Sequence, residues 1–258
     1  MCYDKEYLAR KAYNYAKRYA QDPAEIEDLK EQLSIFQPTY YVSGFSHPTA
    51  PVITNEEPGR IQGFTWGLIP FWVKENVSAV KLSNQCLNAR GETIFEKPAF
   101  RESAKSKRCL ITCIDGYFEY YHHQNKIYPF FIRLKSQEAM TFAGLWSRWE
   151  NREEGIVRYT YSIVTTKANT LISKIHNNPN RENGDSRMPV ILPQELERQW
   201  LQPINDKADK EIIENLIQPY QADLMEAYPV GQLKGKNGVG NKEQATEKMD
   251  YSELDLVL

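Results

Sequence analysis

From Thr39 onward the apolar residues of this chain recur at every second position, and that switch of period constrains the fold most. A period of two puts alternate side chains on opposite faces of an extended strand. Strands are expected over Thr39–Ser43, Gly63–Trp66, Cys109–Ile114, Tyr117–Tyr121, Tyr128–Leu134, Thr141–Leu145 and Tyr159–Thr165. His122 to Lys126 would be the turn of a hairpin joining two of them. Before the switch, Ala12, Tyr15, Ala16 and Tyr19 fall at helical spacing. Asp22-Pro23-Ala24-Glu25 reads as a helix start, with Asp as cap, Pro in the first turn and Glu three residues on. Lys5 to Leu33 thus reads as two helices, and more are expected over Pro98–Ser106, Asn169–His176, Pro193–Leu201 and Lys210–Ile217. Antiparallel strands interrupted by helices imply an α+β fold, a curved antiparallel sheet or partly closed β-barrel core flanked by helices. The 258 residues suit one large domain or two small ones. Gly231 to Gly240 has the Gly, Lys and Asn content of a linker, which divides the chain into a domain over 1–230 and a flexible C-terminal tail over 231–258.

Several function classes lose ground at once. No window approaches 18 uninterrupted apolar residues, and the N-terminus lacks the basic-then-apolar pattern of a secretory signal. The four cysteines, Cys2, Cys86, Cys109 and Cys113, form no C-x-x-C pair and no disulfide framework, as expected of a reducing cytoplasm. Cys109 and Cys113 lie in a predicted strand and, with Cys86, read as inert. The histidines make no ligand spacing, so no metal site is expected. With a net charge of −2 there is no global basic signature, and any nucleic-acid contact must rest on a local patch.

Chemistry concentrates at Met1-Cys2. A small second residue permits removal of the initiator Met, and a leading Cys then offers an α-amine beside a thiol. The amine condenses with an aldehyde to an imine, and the thiol adds to close a thiazolidine. An α-amine is neutral to roughly 10–15% at pH 7 against about 0.04% for a lysine, so this amine has a ~300-fold advantage in reactive form. Trp66-Gly-Leu-Ile-Pro-Phe-Trp72 sets two aromatics around a tight turn, either a packed loop or a platform for stacking on a base. Asn88-Ala89-Arg90 supplies an amide and a guanidinium fork suited to phosphate. Glu119, flanked by aromatics in Asp115-Gly-Tyr-Phe-Glu-Tyr120, is either a solvent-facing strand residue or a partly desolvated carboxyl tuned for proton transfer. His176 ends a predicted helix, where a histidine is either structural or placed to exchange a proton near neutrality.

Taken in order, Met1-Cys2, Trp66-Gly-Leu-Ile-Pro, Asn88-Ala-Arg90, Gly116-Tyr-Phe-Glu119, Ile175-His176 and Arg187-Met-Pro-Val-Ile-Leu resemble the motifs of the SRAP family, the SOS-response-associated peptidase-like proteins that process abasic sites in DNA. The resemblance spans roughly residues 1 to 200 and implies the SRAP fold. By it, Cys2 would lose Met1 autocatalytically and capture the ring-opened aldehyde of an abasic site in single-stranded DNA as a thiazolidine crosslink. Glu119 would transfer the proton that opens the sugar, and His176 would stabilise the sugar oxygen or the imine and assist lyase chemistry. Asn88 would orient the Cys2 amine, and Arg90 would hold a flanking phosphate. Trp66 or Trp72 and the Phe45–Pro48 loop would stack or wedge against unpaired bases. No cofactor is implied; a cytoplasmic, nucleoid-associated monomer is.

The chain departs from the family pattern in three places. It opens Met1-Cys2-Tyr3-Asp4, where members often have Met-Cys-Gly-Arg, so an acid replaces a base beside the phosphates. Lys5–Leu33 resembles an insertion, and residues Asn177 to Ser186 separate His176 from Arg187, where members have almost no gap. The terminal Ser252-Glu-Leu-Asp-Leu-Val-Leu258 also suits a peptide docking on a replication clamp. Two other functions compete: a cysteine peptidase acting on proteins, with Cys2 as nucleophile and His176 as base, and a non-enzymatic single-strand-binding module.

Overall fold

The computed structural model describes residues 22–254 except 38 and 181–184. Cys2, the expected first helix and the final four residues therefore lie outside the described residues, as does the side chain of Cys113. Strands β1 (Thr49–Thr54), β2 (Ile61–Trp66), β4 (Arg108–Ile114), β7 (Met140–Asn151) and β8 (Ile156–Lys167) form a ring in the order β2-β1-β4-β7-β8. Parallel pairing of Thr65 with Thr160 and Trp66 with Tyr161 closes it, so the barrel is complete and its sheet mixed. β3 (Asn88–Arg90) adds to β8 in parallel and β9 (Arg187–Pro189) antiparallel. A second sheet has the order β10-β6-β5, from β5 (Tyr117–His123), β6 (Lys126–Leu134) and β10 (Met225–Pro229).

The period-two pattern works here as a device for feeding two cores. On β4, Leu110 packs with one buried cluster while Cys109 and Ile111 pack with another; on β7, Ala143 and Leu145 alternate in the same way with Phe142 and Trp146. The first cluster holds the flanking helices α1 (Pro23–Ser34), α3 (Arg101–Ser106), α5 (Gln194–Trp200) and α6 (Lys207–Asn215) against the barrel. The second joins the barrel to the β5–β6–β10 sheet and to α4 (Thr170–Ile175). That junction carries the site.

Local signals read from sequence reappear with their causes. Asp22 caps α1 by accepting from the Ala24 and Glu25 amides at 2.8 and 3.0 Å. The β5–β6 turn narrows to Gln124 and Asn125, both at positive φ (46° and 62°), the two-residue geometry that matches strand twist. The expected strand over Thr39–Ser43 does not form, and a short 3₁₀ turn over Gly44–Ser46 follows instead. β1 lies further on, and Pro51 within it hides its alternation. α2 (Asn76–Gln85) has no strong stripe, since only Ala79 and Ser83 are buried.

The segment beyond Gly231, whose composition is that of a linker, packs against β6 and β10. Leu233 and Ala245 are buried, Val239 and Gly240 donate to the carbonyls of Gln232 and Leu233, and Val230 bridges to Lys248. Tyr251 donates to the Val230 carbonyl at 2.9 Å, and Glu253 accepts from Tyr128 at 2.9 Å and pairs with Lys126 at 3.1 Å. Glycines here make turns between apolar anchors, which composition alone cannot distinguish from a linker. Ser252 to Leu254, the start of the expected clamp peptide, thus sit beside β6.

One buried cation binds the helices to the barrel. Arg108, fully buried, donates to the carbonyls of Trp200 (2.8 Å), Ala104 (2.6 Å), Lys105 (2.9 Å) and Gln202, the frayed carboxyl ends of α3 and α5. Burial lowers its pKa to about 10. Arg108→Met would leave those carbonyls unanswered, at about 1–3 kcal/mol for each one that water cannot reach. Urea unfolding is expected to register a loss of about 3 kcal/mol or more; a loss below about 1 kcal/mol would mean that water replaces the guanidinium.

Candidate active site

Glu119 sits on β5 with Tyr117 and Tyr121 on the face turned to the second core, while Phe118 and Tyr120 face the other way. Gly116 is required at the strand's entry: a Cβ there would lie 2.3 Å from the Phe131 ring and 2.5 Å from the Ile132 carbonyl. Opposite β5, α4 begins at Asn169, whose side chain accepts from Ile172 N at 2.9 Å, and ends at His176. The two functional side chains meet there, His176 Nδ1 lying 3.5 Å from Glu119 Oε2.

The surroundings suit proton exchange. Glu119 is only 22% exposed; desolvation raises its pKa, opposed by the His176 charge and by the Tyr120 amide, which donates to Oε1 at 3.1 Å. His176 Nδ1 lies 3.1 Å from the Arg187 carbonyl and 3.3 Å from the Arg187 amide. A protonated Nδ1 donates to that carbonyl, and an unprotonated one accepts from that amide, so the ring finds a partner in either state. The Tyr117 hydroxyl is buried without a hydrogen-bond partner among the described residues, and burial, with the Glu119 charge, pushes its pKa far up.

Arg187 carries the site across to β3. Its guanidinium grips Glu92 through both oxygens, at 3.0 and 2.8 Å, and donates to the Thr165 carbonyl at 2.8 Å. Burial alone would raise the Glu92 carboxyl, but the Arg187 hydrogen bonds, its own backbone amide and the charges of Arg187 and Arg90 hold it below the ordinary value. Arg90 pairs with Thr165 of β8 in register, and its Nη1 lies 3.8 Å from Asp185. Asn88, exposed, shares its side of β3 with Arg90, while Ala89 is buried opposite. Asn88, Arg90, Glu119 and His176 are thus linked through β8 and Arg187. The Arg187–Glu92 grip escaped the sequence reading; nothing in the spacing of an Arg and a Glu 95 residues apart announces it.

The aromatic expectations divide. Trp66 is half-buried, its ring stacked on Tyr161 (6.3 Å, 8°) and its Nε1 donating to the Leu87 carbonyl at 2.7 Å. That stacking occupies one face of the Trp66 ring. Trp72 (48% exposed), Phe71 (60%) and Phe45 (69%) are the open rings. Pro48 is half-buried, and its carbonyl accepts from the Trp66 amide at 2.9 Å. His47 stands at φ 49° and donates from Nδ1 to the Trp66 carbonyl at 2.7 Å, close beneath Gly67 (φ 114°). Cys86 and Cys109 are buried, and burial raises their thiols, Cys86 to about 11, which leaves little nucleophilic thiolate. Among the described residues no three His, Cys, Asp or Glu side chains group as a metal site, and no helix is long and apolar enough to cross a membrane.

The fold and site together are a closed mixed barrel joined to a three-stranded sheet, with a Glu–His pair where the two meet. The chain belongs to the SRAP family: the family model for SOS response associated peptidase matches residues 3–236. It is 40% identical over 220 residues to the abasic site processing protein YoqW of Bacillus subtilis, covering 81% of this chain and 90% of that one. The abasic site processing protein HMCES of Pongo abelii is 31% identical over 164 residues, covering 53% of this chain and 43% of that one. Among solved structures, a protein of Bacteroides thetaiotaomicron matches with a TM-score of 0.77 at 36% identity, over 93% of this chain and 96% of that chain.

Proposed function

We propose that this protein processes abasic sites in single-stranded DNA by capturing them on Cys2 as a thiazolidine. The supporting observation is the Glu119–His176 pair, 3.5 Å apart and partly enclosed, linked through Arg187 and β8 to the strand that carries Asn88 and Arg90. Once Met1 is removed, the neutral α-amine attacks the aldehyde carbon of the ring-opened sugar. Water leaves, and an imine forms. The thiol sulfur then adds to the imine carbon while its proton passes to the nitrogen, closing the ring with no oxidant or reductant.

In this scheme Glu119 takes the proton from the hemiacetal hydroxyl as the sugar opens and returns one as the carbinol loses water. A raised pKa, caused by enclosure, suits both directions. His176 stabilises the sugar oxygen or the imine. Asn88 orients the amine, and Arg90 holds a flanking phosphate once Asp185 has been displaced. Phe45 and Trp72, both exposed, would stack on unpaired bases, a contact worth about 1–3 kcal/mol per base.

The test mixes purified protein with three single-stranded oligonucleotides: one abasic, one intact, and one bearing a reduced abasic analogue that has no aldehyde. The expected result is an adduct resistant to denaturing gels with the first alone, heavier by the oligonucleotide less one water. Equal noncovalent binding to all three with no adduct would instead favour a plain binding module, and cleavage of peptide substrates would favour a peptidase.

A further inference from the structure

The Glu119–His176 pair joins a strand of one sheet to a helix end tied to the other. Glu119 stands on β5, the edge of the three-stranded sheet, whereas the His176 ring is bonded to Arg187 at the start of β9, an added strand of the barrel sheet. Apolar packing of α4 on β5 brings the two together, but such packing has no direction and tolerates sliding. The directional link is Asn177. Its Oδ1 accepts the His122 amide at 2.7 Å, and its Nδ2 donates to the His122 carbonyl at 2.9 Å. One side chain thus satisfies both backbone groups of a residue three positions after Glu119, as a neighbouring strand would, and does so from the position next to His176.

We propose that Asn177 is a positioning residue that holds His176 at its working distance from Glu119. The assignment rests on the proton-transfer reading given above. At an edge strand water replaces lost hydrogen bonds at small cost, so Asn177 contributes little to stability. Its effect lies in geometry: a displacement of about 1 Å in a catalytic pair costs up to about 100-fold in rate. Asn177→Asp keeps an acceptor for the His122 amide and loses the donor to its carbonyl, so it is an intermediate case.

Three readouts test this. At saturating abasic oligonucleotide, Asn177→Ala is expected to slow adduct formation about 10- to 100-fold, with binding to the intact oligonucleotide within about two-fold of wild type and Asn177→Asp falling between. Adding Asn177→Ala to Glu119→Gln should slow the reaction little further, because both act through one pair. In the DNA-free protein, the His176 imidazole resonances should shift in Asn177→Ala. An unchanged rate, or rate and affinity falling by the same factor, would overturn the proposal. If the wild type forms no adduct, the functional reading fails separately, and the imidazole resonances decide: unchanged signals overturn the positioning role.

Discussion

Cys2→Ala is expected to leave no mass-stable adduct with an abasic oligonucleotide while binding that oligonucleotide to within about two-fold of wild type. The reason lies in which atoms remain. Alanine keeps the α-amine, so an imine still forms, but no thiol closes the ring and water reverses the condensation. Borohydride should therefore trap a Cys2→Ala adduct that is absent without reductant, whereas the wild-type adduct needs no trapping. The buried thiols of Cys86 and Cys109 cannot substitute, since burial keeps them protonated. An untrapped, stable adduct from Cys2→Ala would remove the thiazolidine from the mechanism.

Glu119→Gln should slow adduct formation by about 10²–10⁴-fold, the range that positioned proton transfer supplies, with noncovalent binding nearly unchanged. The amide keeps size and polarity but cannot ionise. Equal losses of rate and affinity would make Glu119 a DNA-orienting group instead. A linked effect on stability has a defined sign. Burial raises the Glu119 pKa, so the folded chain holds this proton more tightly than the unfolded chain does. That stabilisation is complete below the ordinary carboxyl range and is lost as pH rises through the raised value. The Gln variant lacks the ionisation, so its unfolding free energy should fall less than that of wild type as pH rises above the ordinary carboxyl range. A steeper fall in the variant would mean that the His176 contact outweighs burial.

How much of this was legible beforehand follows from the range of the forces involved. The Asp22 cap, the tight β5–β6 turn, strand β4 and part of β7 and β8 announced themselves, because capping, turn geometry and side-chain alternation act within a few residues. β1 was hidden by Pro51, and α2 by the want of an apolar stripe. Gly231–Gly240 has the composition of a linker, and only the fold shows buried Val230, Leu233 and Ala245 around its glycines. Of the site, Glu119, His176, Asn88 and Arg90 stood out by residue type and motif order. Trp66 stood out too, and its stacking on Tyr161, 95 residues away, is visible only in the fold.

The sequence by itself determined the α1 cap, the β5–β6 hairpin, the middles of the longer strands and the kinds of chemical group on offer, since these depend on local periodicity and on side-chain identity. Only the tertiary structure decided that the barrel closes through a parallel seam, that Glu119 of β5 meets His176 at the end of α4, and that Asn177 and Arg187 hydrogen-bond on either side of that pair. Those contacts join segments tens of residues apart, and their energies depend on distance and desolvation, quantities that exist only once the chain has folded.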